Sequence, residues 1–262
     1  KQEVAEIKSN YSTLREKAKE TYSGNIFESG GPSALAVSVD ERIAEYESRW
    51  NNGGLCFMAA YDDLQSNAEA NKTAAEFIEN KIREIVKDKK TADKLIPKNS
   101  FGCKRLCVAS GYYETFNLPN VNLVDLKENP LKRITSNSIN AGNSEYKTDL
   151  IVLATGFDAM TGALNKINIS GIDGSLKEKW ENGPKSYLGL MSHNFPNMFT
   201  ITGPGSPSVL TNMMTSIEQH VEWISTCLEY MKNNKFTYIE PYLDAENTWM
   251  EHSNSLAGDS LR

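Results

Sequence analysis

The chain has 262 residues, 39% of them hydrophobic, and a formal net charge of −6. That share of apolar residues supports a packed core rather than a disordered chain, and the length allows one large domain or two ordinary ones. The negative balance argues against a general nucleic-acid or anionic-membrane surface, and no apolar run approaches the roughly 20 residues that span a bilayer.

The chain starts KQEVAEIKSN, with no initiator Met and no apolar signal segment, as expected of a processed, trimmed or internal stretch. Residues 1–100 read as mostly helical. Ser38 with Glu41 forms a capping box before RIAEYESRW, and Ser66 with Glu69 forms another before ANKTAAEFIENKIREIV. In the latter helix Phe77, Ile78, Ile82, Ile85 and Val86 share one face, and Glu79 can pair with Arg83 on the other. The segment 22–32 reads as a loop, and KDKKTADK as a solvated helix end.

The character changes near Pro97. Arg105–Val108 and Val121–Leu126 are short β-like runs, and Arg133–Ile139 and Glu145–Thr148 flank Asn140–Asn143 as a hairpin. Asp149–Asp158, DLIVLATGFD, is a continuous apolar run that ends in a small-residue turn. That pattern suits a strand buried on both faces whose carboxyl end opens onto a ligand crevice, as in an α/β fold. A second such junction follows: Met198–Thr202 as a strand, the turn GPGSPS, then a long helix over Val209–Met231. The stripe Leu210, Met213, Met214, Ile217, Val221, Ile224 and Leu228 of that helix reads as core.

Two places carry chemistry. The Gly203–Ser208 turn joins strand to helix, where glycines allow close backbone approach and free N–H groups favour an anion or an electron-rich ring edge. It reads equally as a rigid structural turn. Lys104–Arg105 opens a β-like run, so one cation can serve a phosphate and the other a reaction centre; taken alone the pair also reads as surface charge. His220 reads as a packed or capping histidine. The four cysteines form no CxxC pair and no histidine lies near them in sequence, so no metal site is expected. Free thiols point to a reducing cytoplasm. The sequons at Asn10, Asn71 and Asn168 read as chance. There is no G-x-S-x-G elbow and no G-x-x-x-x-G-K-[ST] phosphate loop.

At GGLCFMAAYDDL, NKTAAEFIENKIREIVKD, CKRLCVASGYYETFNLPNVNLVD, DLIVLATGFDAMTGAL and NFPNMFTITGPGSPSVLTNMMTSIEQHVEWI, the chain resembles a Baeyer–Villiger monooxygenase of the cyclohexanone monooxygenase type. The resemblance implies an α/β fold built of Rossmann-like FAD and NADP domains with a helical insertion: insertion over 1–100, the second half of the NADP domain over 101–155, and the second part of the FAD domain over 156–262. It implies an enzyme that takes FAD, NADPH, O2 and a small ketone, and inserts one oxygen atom beside the carbonyl by way of a C4a-peroxyflavin, giving an ester or lactone. By resemblance Arg105 is the catalytic guanidinium, stabilising negative charge without releasing a proton. Lys104 sits by the NADP phosphate, and Thr155, Gly156 and Phe157 line the cofactor crevice. Ser208 and Met213 contact the flavin, while Val209 and Leu210 shape the ketone pocket.

The family's two G-x-G-x-x-G turns, its F-x-G-x-x-x-H-x-x-x-[WP] stretch and its C-terminal tryptophan loop are absent from these residues. The expectation is therefore an internal fragment lacking both termini, inactive alone. The alternatives are a flavin-dependent nitrogen or sulfur monooxygenase, and a non-catalytic interaction module.

Overall fold

A computed structural model describes residues 2–21, 23–206, 211–258 and 261. The chain divides into two compact units, one of Lys1–Glu28 with Phe157–Ser260, the other of Ser29–Gly156 with Leu261–Arg262. α1 (Gln2–Ser9) and α2 (Tyr11–Lys19) share a unit with α9 (Met213–Asn233). Arg15 pairs with Glu218, and Lys19 lies 3.4 Å from Glu222.

In the unit of residues 29–156, α3 (Val39–Asn52) starts at the Ser38–Glu41 capping box, with both reciprocal hydrogen bonds formed. Two 3₁₀ turns, Cys56–Ala59 and Asp62–Gln65, lead to α4 (Ala68–Ile85). The N-cap of α4 is Asn67, whose side chain accepts from Glu69 N and Ala70 N. Ser66 cannot take that place because it closes the preceding turn, its N–H on Asp63 O. Tyr46, Phe57, Tyr61, Leu64, Ala70, Ala74 and Phe101 form the main core. Ile82 and Val86 pack with Ala92 of α5 (Lys89–Leu95), a separate helix capped by Asp88 rather than a frayed end. Arg83 pairs with Asp93 of α5 instead of Glu79. A single turn, α6 (Tyr112–Thr115), follows.

The only sheet among the described residues is a three-stranded antiparallel meander, β1 (Leu131–Ile134), β2 (Ser138–Ala141) and β3 (Ser144–Lys147), in the order β1-β2-β3. The expected strand 133–139 is thus broken. Thr135 Oγ1 lies 2.7 Å from Ser138 Oγ, and Asn137 N donates to Thr135 Oγ1, so these short polar side chains turn the backbone. The β2–β3 turn is two residues, with Gly142 at φ 58.

In the unit of residues 1–28 and 157–260, short α7 (Gly162–Asn165) and α8 (Leu176–Lys179) precede a long irregular stretch, then α9 and α10 (Leu243–Gly258). Leu176, Trp180 and Phe195 form its core. Of the stripe expected to be core on α9, Met214, Val221 and Leu228 are exposed, at 64%, 43% and 48%, while Met213, Ile217 and Ile224 are half-buried and Leu210 lies outside the described residues. The buried face carries Ser216, His220 and Met231.

The runs 105–108, 121–126, 150–154 and 198–202 are not strands among the described residues. Leu150 is 78% exposed, Val152 78% and Leu153 76%, so the run expected to be buried on both faces is open. An extended segment becomes a strand only when neighbours supply its ladder, and sheets buried on both faces need covering layers as well. No described segment supplies either here.

Candidate functional site

The Lys104–Arg105 pair leaves the helical core through a fixed backbone. Asn71 on α4 is buried, and its Nδ2 donates to Leu64 O at 2.7 Å and Phe101 O at 2.8 Å. Its Oδ1 accepts from Phe101 N at 2.9 Å. The Phe101 ring packs on Phe57, with centroids 5.4 Å apart. Gly102 then adopts φ +76 with the Gln65 amide filling the space a Cβ would need. Beyond this anchor both cations are exposed. Sequence reading takes Asn71 for a chance sequon and misses its role; the available signal is an amide on the helix face of Ala70 and Ala74.

Thr155, Gly156 and Phe157 lie at the end of the open apolar run, all exposed, with Gly156 at φ +83 and Phe157 at 99%. Lys104, Arg105, Thr155 and Gly156 belong to one unit, and Phe157 and Met213 to the other. Ser208, Val209 and Leu210 lie outside the described residues.

Met213 is half-buried in the first turn of α9. The N-cap is Asn212, whose side chain accepts from Met214 N at 3.2 Å. Its backbone N–H donates to Ser23 O at 2.8 Å and its Nδ2 to Gly24 O at 3.1 Å. Gly24 has φ +66, and a Cβ there would meet Thr211 and Asn212. The 23–24 turn therefore braces the start of α9, a long-range contact that no local pattern signals.

His220 is buried, and its Nδ1 accepts from Thr202 N at 2.9 Å. Burial lowers its pKa below the ordinary histidine value. The residue is therefore packed and hydrogen-bonded to the turn region that precedes α9.

No family model matches the chain. It is 41% identical over 232 residues to cyclohexanone 1,2-monooxygenase of an Acinetobacter species, covering 87% of this chain and 42% of that protein. It is 38% identical over 262 residues to phenazine N-monooxygenase PhzNO1 of Lysobacter antibioticus, covering 98% and 48%. A crystal structure of OTEMO complexed with FAD and NADP superimposes with a TM-score of 0.96 at 38% identity, over 100% of this chain and 50% of that one. The chain spans about half the length of the relatives it matches. Its fold is the corresponding part of a two-dinucleotide-domain α/β flavoprotein fold. Identity at this level, spread over nearly the whole chain and matched by near-superimposable backbone, shows that the chain is similar, over about half of their length, to the Baeyer–Villiger monooxygenases of the cyclohexanone monooxygenase type.

Proposed function

We propose that this chain forms part of an FAD- and NADPH-dependent monooxygenase that inserts one oxygen atom of O2 beside a ketone carbonyl, giving an ester or lactone. The observation that carries the reading is the 0.96 TM-score, over all of this chain, to a structure complexed with FAD and NADP. The residues fit such groups. Lys104 is exposed and makes no ion pair among the described residues, which suits a nucleotide phosphate, while Gly156, exposed at φ +83, leaves its backbone open to close approach.

Bound FAD, reduced by NADPH, supplies the electrons that activate O2. This chain's residues hold and orient the reactants. The Arg105 guanidinium holds negative charge as oxygen attacks the carbonyl. Lys104 takes an NADP phosphate, Thr155, Gly156 and Phe157 line the cofactor crevice, and Ser208 and Met213 contact the flavin. Val209 and Leu210 shape the ketone pocket. Four free cysteines support a reducing compartment, the cytoplasm.

A second reading, oxygenation of an aromatic nitrogen, is favoured by the phenazine N-monooxygenase relative. One chimera tests both: this chain joined to the half of the Acinetobacter cyclohexanone monooxygenase that it does not match. The expected result is lactone from a cyclic ketone. Arg105→Ala should lower lactone formation by about 100-fold or more while NADPH oxidation continues. Undiminished lactone from Arg105→Ala refutes the assignment of Arg105, and N-oxide without lactone favours the second reading.

A further inference from the structure

The turn before α9 is held from three directions, all within one unit. From α9, His220 Nδ1 accepts from Thr202 N at 2.9 Å. From the 186–189 segment, Ser186 Oγ donates to Pro204 O, and Gly189 O accepts from Gly203 N at 3.0 Å. From α10, the Trp249 indole donates to Gly205 O at 2.9 Å. Ser186 and His220 are only 2% and 7% exposed.

This bracing opposes an unfavourable backbone. Thr202 has φ +51, a left-handed conformation that β-branched residues rarely adopt. Leu188, Asn194 and Asn197 share the left-handed region at φ 58, 68 and 58. Such residues persist only where their surroundings over-determine them. Because His220 Nδ1 accepts, the neutral ring carries its proton on Nε2. The turn also has a defined polarity. A planar trans peptide points its C=O and its N–H oppositely, so binding Pro204 O to Ser186 directs the Gly205 N–H away from Ser186. Gly205 itself has φ +81, and a Cβ there would lie 3.1 Å from Ser186 Oγ and 3.2 Å from Met250 Sδ.

We propose that His220 is a positioning residue which, with Ser186 and Trp249, locks Thr202 in its left-handed conformation and sets the shape of the Gly203–Ser206 turn leading into the flavin-contacting segment. The link to flavin rests on the function proposed above; the clamp itself does not.

Two measurements on this chain test the clamp without any cofactor. In ¹⁵N-histidine-labelled protein near neutral pH, His220 should show a proton on Nε2 and none on Nδ1; a proton on Nδ1 overturns the proposal. In amide exchange, His220→Leu should speed exchange at Thr202 and Gly203 by about tenfold or more, from loss of a buried hydrogen bond. His220→Asn, which returns an acceptor near Nδ1, should restore most of the protection; equal exchange in all three proteins overturns it. If His220→Leu does not fold, the tautomer decides.

The chimera then tests the positioning role. His220→Leu should weaken FAD binding and shift the flavin spectrum, and His220→Asn should recover both. An unchanged spectrum and affinity in His220→Leu refute that role. A chimera that binds no FAD with His220 present refutes the flavin reading instead, and the exchange result still stands for the clamp.

Discussion

Glu246 on α10 is fully buried, with Lys179 Nζ 2.7 Å and 3.0 Å from its two oxygens and the His193 N–H at 2.6 Å. Removing Glu246 leaves the His193 N–H without its acceptor and Lys179, 18% exposed and still bonded to His193 O, without its charge partner. Glu246→Ala should therefore destabilise this unit by about 1–3 kcal/mol in urea unfolding, and Glu246→Gln by less, because the amide still accepts from His193. Asn71→Ala should cost about 1–3 kcal/mol, since it leaves the Phe101 backbone unsatisfied in the core. His220 has a defined pH signature. Burial lowers its folded-state pKa below 6.5, so the unfolded chain binds the proton more tightly. Its contribution to stability is complete above the unfolded value and is lost as pH falls through the lowered folded value. The urea midpoint should drop on going from about pH 7.5 to about pH 5.5, and should drop less in His220→Asn. Neither role is legible in the sequence, because Asn71 acts through Phe101, 30 residues away, and Glu246 through Lys179 and His193, 67 and 53 residues away.

Local elements were legible where their signals are local. The Ser38–Glu41 box needs only a three-residue spacing and forms as written; Ser38→Ala should cost about 0.5–2 kcal/mol in thermal unfolding. The apolar face of α4 likewise follows from helical periodicity. Two neighbouring polar residues, Ser66 and Asn67, competed for one cap, and the preceding 3₁₀ turn decided between them. The apolar run of 150–154 is a different case. Its sequence reads as a buried strand, yet it stands exposed without a ladder. Val152→Lys should therefore leave the unfolding midpoint of this chain unchanged within about 0.5 kcal/mol. In the chimera the same change should lower stability or soluble yield, because there the run can pair and be covered. Equal effects in the two proteins would refute the idea that this segment pairs with the remaining half.

The accessible surface of the whole chain is 18286 Å². The open apolar run and the exposed Met214, Val221 and Leu228 of α9 contribute to it. The relatives are about twice as long as the stretch matched here. Purified alone, this chain should not retain stoichiometric FAD, and it should bind a hydrophobic dye more strongly than the chimera does. Stoichiometric flavin in the isolated chain would overturn this.

By itself the sequence determined the resemblance to the Baeyer–Villiger monooxygenases, the helical character of the first hundred residues and the Ser38 cap. All of these depend on residue order over short windows. Tertiary structure alone decided that residues 1–28 pack with α9, that Asn71 anchors the backbone ahead of Arg105, and that His220, Ser186 and Trp249 grip one strained turn. It also decided that an apolar run stays open. The physical reason is that burial and hydrogen-bond satisfaction are properties of pairs brought together from distant parts of a chain, and a local pattern records only one member of each pair.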